Sequence, residues 1–174
     1  VGPKVSDELF KDGVIAVLLA IIGILLYIWF RFEWQFGIGA IIALCHDVIT
    51  TIGIFAITGI EFNLSTVAAI LTLAGYSIND TVVVYDRVRE NLRKYKSLSL
   101  YELLNNSVNE TLSRTVMTSV TTLLALLSLY LLGGEVIRGF SFAMIWGIII
   151  GTYSSIFIAS ASLSYFGITR PEEN

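Results

Sequence analysis

Leu64–Tyr85 reads LSTVAAILTLAGYSINDTVVVY, and the side chain in it that carries charge at neutral pH is Asp80. The stretch is long enough for a helix to cross roughly 30 Å of hydrocarbon. Inserting a carboxylate at the centre of such a helix costs about 2.5–3.5 kcal/mol, so Asp80 must face protein or water instead of lipid. Thr72, Tyr76 and Asp80 recur at four-residue spacing, with Gly75 and Asn79 alongside, which gathers small and polar groups on one side of the helix. Asp80 precedes Asp86 by about 9 Å of helical rise, which places it inside the membrane and short of its surface.

Working outward, four further apolar runs share this character: Gly13 to Phe30, Gly37 to Thr58, Ser113 to Leu132 and Phe140 to Phe166. The composition agrees with them. Of 174 residues, 55% are hydrophobic and 14% charged, more apolar side chain than a soluble domain of this size could enclose. The expected fold class is therefore all-α, a polytopic transmembrane helix bundle. Three of the four links, Arg31 to Phe36, Gly59 to Asn63 and Gly133 to Gly139, are short enough to force antiparallel hairpins.

The remaining link, 86–112, concentrates Arg87, Arg89, Arg93, Lys94 and Lys96, with Arg114 at its edge. By the positive-inside rule it is cytoplasmic. Alternation then puts Arg31 and Arg170 inside as well, and Lys4, Lys11 and Arg138 outside. This gives an extracytoplasmic lead-in over 1–12, a transmembrane domain over 13–166 and a cytoplasmic tail over 167–174. An odd number of spans with an outside start calls for a preceding span. Ser99 and Glu102 have capping-box spacing, and Tyr101, Leu104, Val108 and Leu112 follow at helical intervals, so a short amphipathic helix is expected on the inner surface before the fourth span. Trp29, Trp34 and Phe36 are expected as an interfacial aromatic anchor.

Three candidates for chemistry emerge. Asp80 and Arg114 lie at similar depth on consecutive helices, so Arg114 is expected to face Asp80 and to modulate its protonation; the alternatives are a static ion pair and, for Arg114, an ordinary basic anchor. His46 and Asp47 form the second candidate: Asp47 shares a stripe with Gly39, Ala43 and Thr51, and histidine is the side-chain type suited to passing protons. That pair reads either as a second proton station or as a hydrogen-bonded buckle between helices. Gly147, Gly151 and Ser155 form a small-residue stripe that lets another helix approach closely. Cys45, the single cysteine, rules out an intrachain disulfide and reads as a packing residue. There is no phosphate loop, no HExxH or Cys/His cluster and no Gly-x-Ser-x-Gly nucleophile, so no metal and no cofactor other than the proton is expected. Asp80 lacks the Gly-x-Gly-Asp setting of an intramembrane aspartyl protease. Nothing supports nucleic-acid binding.

Gly59-Ile60-Glu61-Phe62-Asn63, the run from Ala74 to Arg87, Leu112-Ser113-Arg114-Thr115 and the run from Gly133 to Gly139 resemble the SecD/SecF family of protein-export membrane proteins, within the resistance-nodulation-division superfamily. The resemblance extends from Val1 to about Phe166. It implies five spans of a six-span unit, and a subunit, not an enzyme, that uses the proton motive force in the cell inner membrane. It also implies SecD, the SecYEG channel, YajC, YidC and the translocating preprotein as partners. Asp80 and Arg114 would be the proton-conducting residues, with Tyr76, Asn79, His46 and Asp47 in support. A proton-coupled exporter of small molecules and a purely structural packing subunit are the competing readings.

Overall fold

A computed structural model describes residues 3–168. The lead-in residues Val1 and Gly2, and the tail from 169 onward with Arg170, lie outside the described residues. All regular structure among the described residues is helical: α1 (Pro3–Arg31), α2 (Trp34–Thr58), α3 (Leu64–Lys94), α4 (Leu100–Leu132), α5 (Glu135–Tyr153), a π-helical turn (Ser154–Ala159) and α6 (Ser160–Phe166). The last three run on as one rod. This makes five helices long and apolar enough to cross a membrane.

The helix ends follow from local chemistry. Gly59 adopts φ 67°, a left-handed conformation that closes α2, and its N–H donates to the Phe55 carbonyl. Asn63 then caps α3, accepting from the Thr66 N–H while Thr66 returns a bond to the Asn63 backbone. α3 forms the hub of the bundle, touching α1, α2, α4, α5 and the π-helical turn.

The exterior is that of a protein dissolved in lipid: Leu18, Leu19, Ile22, Phe30, Ile49, Ile57, Met117, Leu124 and Leu132 are all exposed. The interior is layered. One apolar cluster, around Phe32, Phe36, Tyr85, Val88, Leu103 and Leu163, lies toward the α1–α2 turn. Another, around Phe55, Leu73, Leu126, Met144 and Ile148, lies toward the opposite end. Between them, beside a small third apolar cluster of Leu44, Val48, Ile70 and Ala74, lies a layer of buried polar side chains: Asp47, Thr51, Ser77, Asp80, Thr81, Thr115, Ser119, Ser154 and Ser155.

Two expectations change. The amphipathic segment after Ser99 is not a separate surface helix; it is the first part of α4, which runs unbroken from Leu100. No Gly or Pro interrupts 100–132, and the Ser99–Glu102 capping box starts the helix. Its apolar face packs on an equally extended α3, with Leu103 and Leu104 against the cluster of Val88 and Leu92. Asn91 Nδ2 joins the two extensions by donating to Ser107 Oγ at 3.0 Å and Glu110 Oε2 at 3.1 Å. The aromatic anchor is also smaller than expected. Trp29 is 73% exposed and Trp34 is exposed, but Phe36 is fully buried, edge-on to the Tyr85 ring at 5.1 Å.

Candidate functional site in the polar layer

Asp47 stands on the buried face of α2 with Ala43 and Thr51, and it is fully enclosed. Three side chains meet it. Ser77 of α3 donates to Oδ2 at 2.5 Å, Ser154 of the π-helical turn donates to the same oxygen at 2.7 Å, and His46 Nδ1 lies 3.1 Å from Oδ1. One carboxylate thus joins three helical elements. Hydrogen bonds to an ionised group are about twice as strong as neutral ones, and here they replace the lost water.

The small residues of α5 make this approach possible. A Cβ on Gly147 would fall 2.5 Å from Leu73 Cδ2, and one on Gly151 would lie 3.4 Å from Ser77 Cβ and 3.5 Å from Asp47 Oδ2. The stripe Gly147, Gly151, Ser155 therefore faces α3, with Ser155 fully buried. The π-helical turn itself was not read from the sequence. Its usable signal is the hydroxyl cluster Ser154, Ser155, Ser160 and Ser162 late in an apolar helix. A π-turn frees backbone carbonyls, and here the Ala159 carbonyl accepts from Ser162 Oγ at 2.7 Å and from Tyr85 Oη at 3.3 Å. Gly39 leaves room for both: a Cβ there would meet Ser162 Oγ and Tyr85 Oη at 2.4 Å. Tyr85 is a second residue that the sequence reading passed over.

Asp80 lies one helical turn beyond Ser77 on α3. It is only 5% exposed, yet its Oδ2 has no hydrogen-bond partner. Among the described residues it makes no ion pair within 4 Å. Arg114 on α4 is exposed and within electrostatic range of Asp80 without touching it, so the expected pairing exists as a field and not as a contact. The polar stripe expected around Asp80 divides. Ser77, Asp80 and Thr81 point inward, while Thr72, Gly75 and Asn79 are exposed. Tyr76 is half-buried, and its hydroxyl, like Thr115 Oγ1 of α4, is enclosed without a partner. On α4, Thr118 and Thr121 are exposed on the same side as Arg114. Two neighbouring helices thus turn polar stripes outward.

His46 is half-buried, with its ring 6.4 Å from that of Tyr153. Cys45, expected to pack, is exposed. At the α1–α2 end, Asp86 is taken up by Arg31 at 3.1 Å and Arg89 at 3.8 Å. Among the described residues no group of three or more His, Cys, Asp or Glu side chains is arranged to hold a metal ion.

Lipid-facing walls enclosing a layer of carboxylates and hydroxyls define a polytopic helical membrane protein with ionisable groups in its bundle interior. The chain belongs to the SecD/SecF family: the family model for the protein export membrane protein SecD/SecF, C-terminal, matches residues 1–168. It is 59% identical over 170 residues to the protein translocase subunit SecF of Cereibacter sphaeroides, covering 98% of this chain and 52% of that protein. With the SecF of Rickettsia bellii it shares 57% identity over 173 residues, covering 99% of this chain and 57% of the relative. The chain thus spans about half the length of the relatives it matches. Among solved structures, SecDF from Thermus thermophilus, described as a translocon-associated membrane protein, superposes with a TM-score of 0.91 at 51% identity, over 95% of this chain and 23% of that one. SecDF in a super-membrane-facing form gives a TM-score of 0.86 at 49% identity.

Proposed function

We propose that this chain is the membrane part of a SecF-like subunit that works with SecD to promote preprotein translocation through the SecYEG channel, driven by the proton gradient. The observation that carries the reading is Asp80, a carboxyl enclosed by protein, with no hydrogen bond and with one cation at a distance. A proton moving through 100 mV releases about 2.3 kcal/mol. A carboxyl that alternates between charged and neutral converts that energy into a preference between two helix arrangements. Arg114 sets the field in which Asp80 gains and loses its proton, and Tyr76 and Thr115 offer enclosed hydroxyls beside that route. The outward polar stripes of α3 and α4 suit a second membrane subunit, which would bury Asn79 and Thr118 away from lipid. The resemblance that names SecD and SecYEG as partners extends to YajC and YidC.

The orientation follows from the basic residues: the extensions of α3 and α4 lie in the cytoplasm of a cell whose inner membrane holds the bundle, and the Gly59 and Gly133 turns lie outside. The proton is the only coupling ion the reading requires, and no catalytic step is assigned. A purely structural role finds its support in Asp47, whose bonds hold helices together. Asp80→Asn separates the two. It keeps shape and removes the charge change, so in the full-length subunit it should assemble with its partner and lose the gradient-dependent part of export in inverted vesicles. Normal export by that variant would leave the structural reading standing.

A further inference from the structure

The π-helical turn has two ways to satisfy its first residue. The Ser154 N–H is shared between the carbonyls of Gly151 and Ile150, and the Ser154 hydroxyl has both Asp47 Oδ2 at 2.7 Å and the Gly151 carbonyl at 3.1 Å within reach. A hydroxyl carries one proton, so it commits fully to only one acceptor. The far end of the turn is held independently, at the Ala159 carbonyl, by Tyr85 and Ser162. A π-turn contains one residue more than the α-helix needs, so its position along the rod is adjustable. What fixes it here is a carboxylate on a different helix.

We propose that Asp47 is a proton-dependent positioning residue: ionised, it locks the π-helical turn at Ser154 against α2 and α3, and protonated, it releases the turn. A carboxylate oxygen accepts from Ser77 and Ser154 together. Once Oδ1 carries the proton, Oδ2 becomes a neutral carbonyl oxygen, and its bonds from the two serine hydroxyls lose their charge assistance and weaken to about half. Ser154 then turns to Gly151, and Ser77 to a carbonyl one turn back on α3. His46 is the route for the proton. The Nδ1–H bond breaks as the Asp47 O–H bond forms, and Nε2 takes up a proton from solvent, leaving a neutral imidazole in its other tautomer. Of the other titratable groups, Tyr153 of α5 lies with its ring 6.4 Å from that of His46, and Asp80 stands one helical turn from Ser77 on α3; Gly151 and Ser154 approach Asp47 from α5 and the turn.

The consequence reaches the first carboxylate. Thr152, just before the turn, shares a 2.6 Å hydrogen bond with Ser119 of α4, the helix that carries Arg114. Sliding of the turn draws on that contact and shifts α4, which changes the distance from Arg114 to Asp80. This last step rests on the proton-driven reading of Asp80; the latch itself does not.

The test uses the full-length subunit with its partner in lipid vesicles, with Cys45→Ala and spin labels at Phe157→Cys on the turn and Val120→Cys on α4, both exposed positions. Pulsed electron resonance should show two distance populations whose ratio changes with pH. Asp47→Asn and Ser154→Ala should each collapse them to a single pH-independent population, and Ser154→Thr, which keeps the hydroxyl, should restore the response. Asp80→Asn should leave the response in place even where it abolishes export. A pH response that survives Asp47→Asn or Ser154→Ala, a single population in the unsubstituted protein, or a response lost in Asp80→Asn alone would each overturn the latch. The last of these would leave the Asp80 reading intact. Should Asp47→Asn fail to accumulate, the two Ser154 variants decide.

Discussion

Asp47 and Asp80 sit on adjacent helices, in the same polar layer, both nearly invisible to solvent, and the protein treats them in opposite ways. Asp47 has a serine from each of two other elements and a histidine from its own. Asp80 has no hydrogen bond, only the field of a guanidinium that does not touch it. A carboxylate ringed by donors receives from the protein most of what water would have given, so its bonds serve as structure. One without donors depends for its charge on whichever proton, water or cation arrives, and that openness is what a coupling group needs. Burial alone does not separate the two acids; hydrogen bonding does, because a proton on Asp47 acts through the bonds that carboxyl holds, and a proton on Asp80 acts through its bare charge.

The largest effect that bears on this contrast is loss of the clamp. Asp47→Ala removes the acceptor through which Ser77 and Ser154 tie α3 and the π-helical turn to α2 and opens space among the three elements, and it should cost about 3–5 kcal/mol. Thermal unfolding in lipid nanodiscs measures it. Asp80→Ala removes no hydrogen bond and should cost less than about 2 kcal/mol in the same assay, the value of a modest cavity. Equal losses would erase the distinction drawn between the two acids.

A smaller effect probes the close approach that lets Asp47 reach its partners. Gly147→Ala places a Cβ 2.5 Å from Leu73 Cδ2, and the overpacking should cost about 1–3 kcal/mol. Gly75→Ala meets nothing within 4 Å and should be neutral or stabilising by up to about 1 kcal/mol, the helix-propensity gain. If the two behaved alike, the α3–α5 packing that seats Ser77 and Gly151 beside Asp47 would need redrawing.

Asp80→Leu should change stability least among the buried substitutions, within about 1 kcal/mol of the parent and in the direction of greater stability. An apolar group in place of an unpartnered polar one removes a desolvation cost without breaking a bond. The same change should abolish gradient-dependent export. A marked loss of stability would mean that Asp80 is bonded in the folded protein after all.

The division between what was readable in the sequence and what was not follows the range of the interactions. Five apolar runs, the Ser99–Glu102 cap and the isolation of Asp80 inside an apolar stretch are local, and each is visible within a few turns of helix. Phe36 was misplaced because membrane-edge aromatics and core aromatics have the same composition; only the Tyr85 ring, about fifty residues away, decides between them. The amphipathic segment was separated from span four because periodicity shows that a face is buried but not what buries it. Here the cover is the extended α3, through Leu92 and Asn91, and not the lipid surface. The three donors around Asp47 come from positions 46, 77 and 154, a convergence no spacing rule describes, so the better-satisfied acid looked like the lesser candidate.

The smallest effect concerns a third carboxylate, which completes the comparison by lying in water. Glu102, at the start of α4, accepts from the Ser99 hydroxyl at 2.8 Å and the Ser99 N–H at 3.1 Å, and these bonds hold its carboxyl below its ordinary value of 4.5. Its chemistry resembles that of Asp47, serine donating to carboxylate, but with no burial. A carboxyl lowered in the folded state contributes stability above its unfolded value, and that contribution disappears as pH falls through the folded one. The first turn of α4 should therefore fray as pH drops below about 4.5, seen as faster amide exchange at Leu103 and Leu104 while the bundle as a whole stays folded. Glu102→Gln should remove this pH dependence and change little else, because water stands ready to replace each lost bond. Unfolding of the polar layer in step with the α4 start would show that solvent exposure does not separate the two serine-held acids, and the contrast would have to rest on hydrogen bonding alone.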